Sequence, residues 1–135
     1  MTVIDTSGVV DYLLDDGVAS EVEDLMVAEG ELVAPDLLVF EVLAVLRREA
    51  LRGRLSPTRA GQAVENLGDL SLELMPSLAQ RERAWELRHN FRAADAIFIA
   101  LAEQLGEALA TKDAGLVSAA GKHTEVHSRQ LGRGG

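Results

Sequence analysis

The sequence predicts an α/β fold: a short, mostly parallel central sheet flanked by helices. Three observations predict it. Short β-prone runs alternate with longer stretches of helical apolar periodicity along the 135-residue chain. The runs end at Asp5, Pro35, Pro76 and Thr111, and each is followed by a helical pattern, which is the connectivity of a parallel sheet. No linker, repeat or low-complexity block divides the chain, so residues 1–130 read as one domain and 131–135 as a flexible tail.

The elements follow in order. Residues 2–4 (Thr-Val-Ile) form a first strand. Ser7 caps a helix over 8–14, which Asp15-Asp16-Gly17 stops. Residues 18–29 are amphipathic, with Val18, Val22, Leu25 and Met26 on one stripe, and Gly30 ends them. A second strand, 32–34, closes at Pro35. Asp36 caps a helix to Leu51, terminated by Gly53. Ser56 and Pro57 open the next helix, as N-cap and first helical residue, and it runs to about Leu70. Residues 72–75 alternate and form a third strand. Residues 77–91 form a helix with Leu78, Ala84, Trp85 and Leu87 inward. A helix over 94–105 ends at Gly106, and 108–111 form a fourth strand. A short helix over 114–120 precedes a fifth strand at 124–126.

Composition narrows the function classes. There are no cysteines, which removes disulfide scaffolds, thiol nucleophiles and Cys-ligated zinc. No apolar run reaches the ~18 residues of a membrane span, and the N-terminus lacks the basic region of a signal peptide. The expectation is a cytoplasmic protein without membrane contact. The net charge of −9 argues against an overall basic nucleic-acid footprint. The charge is polarised, however. Residues 1–46 carry 11 acids and no Lys or Arg, whereas all 13 basic residues lie in 47–135. Arg47, Arg48, Arg52, Arg54 and Arg59 face only Glu49 locally, so a polyanionic ligand is compatible with the chain.

Four acids stand in apolar company. Glu41 is the one charge in residues 37–46, and Asp95 is the one charge in 93–102. Such helices are buried, so a carboxylate there needs a partner or a shifted pKa. Asp5 and Asp113 follow strands one and four, where ligands of open α/β sheets bind. Each has an ordinary alternative: an ion pair of Glu41 with Arg48 or Arg81, and helix capping for the three aspartates. Taken together, converging carboxylates repel unless a cation neutralises them, and hard oxygen ligands select Mg²⁺, with Mn²⁺ as substitute, over zinc. Thr6, Ser7 and Thr111 stand beside the acids and can orient them, or can cap locally. A phosphate-binding Gly-rich loop ending in Lys-Ser/Thr is absent. A phosphatase Asp-x-Asp fails at Ser7, and a receiver domain needs a phosphorylatable Asp that 47–58 does not offer.

These residues, in this order, resemble the PIN domains, in particular the VapC-type toxins. The resemblance rests on Val-Ile-Asp5-Thr-Ser, Pro35-Asp-Leu-Leu-Val-Phe-Glu41-Val, Ala94-Asp95-Ala-Ile-Phe-Ile-Ala-Leu-Ala-Glu-Gln-Leu-Gly106 and Leu109-Ala-Thr111-Lys-Asp113. It spans residues 3 to about 118. The chain departs from the family pattern at Ala94, where an aromatic residue is common, and after Asp113, where Gly115 follows in place of a further acid. The resemblance implies a PIN-like fold and a Mg²⁺-dependent endoribonuclease. It implies Asp5, Glu41, Asp95 and Asp113 as catalytic, metal-binding carboxylates, Asp5 and Asp95 foremost, with Thr111 in support; Thr6, beside Asp5, is a further supporting candidate by its position. It also implies an RNA substrate, a cognate antitoxin protein and a homodimer. Arg47, Arg52 and Arg54 are the candidates for gripping the RNA backbone, the alternative being a solvated helix end. Two competing readings stay open: a degenerate PIN-like binding module without nuclease activity, and a receiver domain, which a helical 36–51 would disfavour.

Overall fold

The β-branched pair Val3 and Ile4 forms β1 (Val3–Ile4), the central strand of the sheet in a computed structural model that describes residues 1–132. β2 (Leu32–Pro35) and then β3 (Leu72–Met75) lie on one side, and β4 (Leu109–Thr111) and then β5 (Ser128–Gln130) on the other, giving the order β3-β2-β1-β4-β5. Every pairing is parallel, where the sequence had predicted a mostly parallel sheet. Val3 pairs with Val33 on one side and Leu109 on the other. Strands of two to four residues suffice because β1, β2 and β4 are fully buried on both faces, apolar except for Thr111 at the end of β4.

The helices supply the covering layers. α1 (Thr6–Leu13), α2 (Ala19–Glu29), α3 (Leu37–Leu51) and α4 (Pro57–Leu67) precede β3; α5 (Arg81–Glu86), α6 (Ala93–Leu105) and α7 (Ala114–His123) follow it. α6 is the most deeply placed, burying Ala96, Phe98, Ile99, Ala100, Leu101 and Ala102, and Gly106 ends it in the left-handed region at φ 66°. α3 buries a single face, Leu38, Val42 and Leu46. Phe40 and Leu43 therefore stay exposed, contrary to the expectation of a helix buried all round. Val18, Val22 and Leu25 are buried as their stripe predicted, and Ser56 caps α4 through Oγ with Pro57 at its first position.

The departures from expectation have local causes. α1 begins two residues early because Asp5, not Ser7, is its N-cap. Asp36 does not cap α3; its Oδ1 accepts from the backbone N–H of Ser77 at 3.0 Å and from the Ser77 hydroxyl, tying the end of β2 to the residues beyond β3. The 77–91 helix is broken into a 3₁₀ turn, Ser77–Gln80, and the short α5, followed by turns. That break changes the rotational phase, so Leu78 and Trp85 point to solvent while Leu87 is buried. The Trp85 ring is covered by the Arg88 guanidinium at 4.6 Å.

At the C-terminal end, α7 runs to His123 and the fifth strand forms at 128–130, not 124–126. Thr124 ends the helix by donating its hydroxyl to the Ala120 carbonyl at 2.7 Å and accepting from the Val126 N–H at 3.1 Å, a turn that delays the strand. Leu131, expected to begin a fraying tail, is 2% exposed, and its N–H donates to the Thr111 carbonyl at 2.7 Å. A Cβ at Gly8 would lie 3.1 Å from Leu131 Cδ1, so this side chain packs on the first turn of α1. The rest of the expected tail, Arg133–Gly135, lies outside the described residues. Leu131→Ala should therefore cost about 2–5 kcal/mol, the range for truncating a buried leucine. Urea denaturation checks this, and a loss under about 0.5 kcal/mol, the scale of ordinary surface substitutions, would contradict the packing.

Candidate active site

The order β3-β2-β1-β4-β5 places a topological switch between β1 and β4, where the chain, having built outward through β2 and β3, returns to the other side of β1. Beyond the carboxyl ends of such strands the connections splay apart and leave a crevice. Here the crevice is a cleft of about 530 Å³. Asp5, Glu41, Asp95 and Asp113 all line it, each from a different element. Asp5 ends β1 and caps α1, Glu41 lies in α3, Asp95 stands in the first turn of α6, and Asp113 follows β4 and caps α7.

Asp5 is the most constrained of them. Its Oδ1 accepts from the Ser7 hydroxyl at 2.8 Å and from the Gly8 N–H at 3.3 Å, and its Oδ2 accepts from the Thr111 hydroxyl. Thr111 is fully buried, and its Oγ1 also accepts from the Asp113 N–H at 3.0 Å. One hydroxyl thus links the ends of β1 and β4 and orients two acidic positions. Thr6 donates its hydroxyl to Glu41 Oε1 at 2.6 Å, fixing α1 to α3. The acid in the apolar helix is held by a hydroxyl and not by Arg48 or Arg81, whose ion-pair partners are Glu49 and Glu82.

Capping explains Asp5 and Asp113 in part, since each accepts a helix N–H (Gly8 and Leu116) while lining the cleft. It does not explain Asp95: the N-cap of α6 is Arg92, which makes no side-chain cap bond. Asp95 Oδ2 instead receives the Arg92 Nε at 3.4 Å. Burial holds the Asp5 carboxyl above the ordinary Asp range, and the neighbouring Asp95 charge pushes the same way. The Thr111, Ser7 and Gly8 donors oppose both.

The basic residues fall differently from expectation. Arg47, Arg52 and Arg54 are exposed and none lines the cleft; the cations that do are Arg48, Arg92 and Lys112. Helix phase accounts for Arg47 and Arg48. At about 100° per residue, Arg48 returns to the Glu41 face, while Arg47 falls about 120° away. Arg52 shares that face but sits at the helix C-cap, a turn beyond Arg48, and Arg54 pairs with Glu49 at 3.5 Å. Sequence reasoning also missed Asp11, which lines the cleft from α1. Its signal was the one Glu41 gave, a lone charge within the apolar run 8–14.

The profile of the PIN domain family matches residues 2–122. The chain belongs to the PIN domain family. Among curated PIN relatives, Ribonuclease VapC9 of Mycobacterium tuberculosis is 37% identical over 113 residues, covering 84% of this chain and 86% of the relative. Ribonuclease VapC1 of the same species is 35% identical over 125 residues, covering 92% and 94%. The crystal structure of PAE2754 from Pyrobaculum aerophilum shares the fold with a TM-score of 0.66 at 20% identity, over 94% of this chain and 87% of that one.

The donor set of this PIN domain fits a hard divalent cation: carboxylate and hydroxyl oxygens from several elements, with the desolvated Asp5 carboxylate among them. Among the described residues no three of these acids converge tightly enough to enclose an ion by themselves. Among the described residues no helix is long and apolar enough to cross a membrane.

The raised Asp5 pKa has a signed consequence. Without metal, the folded state holds a proton that the unfolded chain releases, so stability falls as pH rises from the ordinary Asp range through the raised value. Asp5→Asn removes that penalty and keeps a capping acceptor. In chelator at pH 7 the variant should be at least as stable as the wild type, with a shallower decline across that window, by urea denaturation. If it is less stable by more than about 1 kcal/mol, the worth of a helix cap, the hydrogen bonds to the charged carboxylate outweigh its burial.

Proposed function

We propose that this chain is a Mg²⁺-dependent endoribonuclease, the toxin of a toxin–antitoxin pair, acting on RNA in the cytoplasm. The observation that carries the reading is the meeting of Asp5, Glu41, Asp95 and Asp113 in one cleft at the switch point, with Asp5 partly buried and held by Thr111. The names of the curated relatives, ribonucleases throughout, support the same chemistry.

Asp5 and Asp95 are the principal ligands of the ion, with Glu41 and Asp113 binding directly or through waters. When bound, the ion stabilises the charge that develops on the scissile phosphate and acidifies the attacking water; Mn²⁺ is the expected substitute. The remaining work falls to the chain. Thr111 and Ser7 hold the Asp5 carboxylate so that its orientation survives ion exchange, and Thr6 does the same for Glu41. The hydroxyl of Thr111 fixes the Asp113 backbone as well, so both ends of the site move together. Arg48 and Arg92 at the cleft wall offset phosphate charge, and Arg52 on the same face of α3 extends that track. Protons released in the reaction are shared by a coupled carboxylate set.

The same acidic cleft suits a basic side chain of an antitoxin, which would compete with the ion through bidentate pairing with carboxylates. Phe40 and Leu43 on α3, with Val64 on α4, are exposed apolar side chains suited to contact with the antitoxin or a second copy.

The test is cleavage of total cellular RNA by purified protein with Mg²⁺. Asp5→Asn and Asp95→Asn should each lose roughly 100-fold or more, and Thr111→Val about 10–100-fold, as outer-shell partners do. EDTA should abolish cleavage and excess Mg²⁺ should restore it. Undiminished cleavage by Asp5→Asn, or cleavage that survives thorough chelation, would falsify the reading.

A further inference from the structure

The ammonium of Lys112 lies 2.7 Å from Asp11 Oδ2, on the wall of the cleft. Lys112 stands between Thr111, which anchors Asp5, and Asp113, which caps α7. Its partner is a built feature. The Asp11 side chain is 14% exposed, and its Oδ2 also accepts from the Val18 N–H at 3.1 Å. The chain is shaped around this carboxylate: a Cβ at Gly17, which has φ +47°, would lie 2.1 Å from Asp11 Oδ2. Glycine at 17 is therefore favoured both by the backbone and by the close approach of Asp11.

The loop after β4 has fastenings besides the ion pair. That loop is fastened by the Thr111 hydroxyl to Asp5, by the Leu131 N–H to the Thr111 carbonyl, and by the Asp113 cap on Leu116. The three cleft cations are differently placed. Arg92 is 84% exposed and is paired with Asp95, one of the proposed ion ligands. Arg48 is half-exposed beside Glu49. Lys112 is paired with a mostly buried acid outside that ligand set, so its charge is in position before any ion or substrate arrives. Its side chain is 40% exposed, and an ammonium has three donors, of which one satisfies Asp11.

We propose that Lys112 is a substrate-binding residue that contacts an RNA phosphate in the cleft, and that Asp11 is the positioning residue that presents it. The proposal rests on the nuclease reading above and adds to it a specific cation for the phosphodiester. A cleft lined by five acids repels a polyanion; an ammonium fixed among them gives the phosphate one oriented contact, which aligns it as well as attracting it. The two residues then have separable effects. Loss of Lys112 removes a phosphate contact. Loss of the Asp11 charge leaves the contact available and loosens its placement.

The experiment uses the full chain with a labelled single-stranded oligoribonucleotide of mixed sequence. Binding is followed in chelator at several salt concentrations, and steady-state cleavage is followed in Mg²⁺. Lys112→Gln should raise KM about tenfold, the lower end for a hydrogen bond to a charged group. It should also reduce the slope of log affinity against log salt by roughly 0.7, one single-strand phosphate contact. Lys112→Arg should recover the slope. Asp11→Asn keeps an acceptor for the Val18 N–H; it should leave the slope unchanged and lower kcat without raising KM. Lys112→Gln with wild-type KM and slope but a lowered melting temperature would show a structural strut and overturn the proposal. A rise in KM on Asp11→Asn equal to that of Lys112→Gln would overturn the division of roles. Asp5→Asn is run alongside: if it cleaves like the wild type, the nuclease reading falls, whereas the salt slope still decides whether Lys112 meets phosphate.

Discussion

The hydrogen bond from the Thr111 hydroxyl to the Asp5 carboxylate is the constraint on which the site depends. It joins the ends of β1 and β4 across the switch point. Parallel pairing of Val3 with Leu109 and Ile4 with Ala110 brings those ends together, and the fully buried Thr111 makes their separation exact enough to orient a side chain. The arrangement is costly in isolation, because Asp5 is desolvated and its charged form disfavoured. The donors around it reduce that cost without removing it. A desolvated carboxylate kept above its ordinary pKa is poised to be stabilised by a cation, so the cost of the Asp5 charge and the affinity of the proposed ion site have one origin.

Electrostatic layout follows from chain order. The acidic first third supplies Asp5, Asp11 and Glu41 to the cleft, and the later, more basic part supplies Arg48, Arg92 and Lys112 along with Asp95 and Asp113. The fold therefore mixes two segments of opposite balance at one sheet edge. A net charge of −9 is compatible with a polyanionic substrate because what the substrate meets is this local set, not the sum over the surface.

Much of this was legible in the sequence, for physical reasons that also mark where legibility stops. Glu41 and Asp95 stood out because a lone charge in an apolar helix demands an explanation, and Asp5 and Asp113 because they follow strands. The apolar runs of β1 and β2 and the Leu109-Ala110 pair of β4 are legible as well. β5 did not: Ser-Arg-Gln at a sheet edge has no apolar pattern, and it pairs through backbone groups that composition does not record. The placement of the arginines is not legible in the same way, because a cluster in sequence is spread around a helix in space, so Arg48 lines the cleft and Arg47 does not. Asp11 was overlooked because its partner Lys112 is 101 positions away, a pairing only the sheet order reveals. Leu131 was misread because Gly neighbours suggested a frayed end, while the groove beside Gly8 and Ile4 that receives it is built from the far end of the chain.

The central claim is that four carboxylates from separate elements form one divalent-cation site anchored by Asp5. Anomalous diffraction from crystals grown with Mn²⁺ tests it most directly. The account predicts an anomalous peak in the cleft with Asp5 and Asp95 among its ligands, and no such peak in Asp5→Asn crystals grown alike. A peak elsewhere on the surface, or a cleft peak that persists undiminished in the variant, would contradict it.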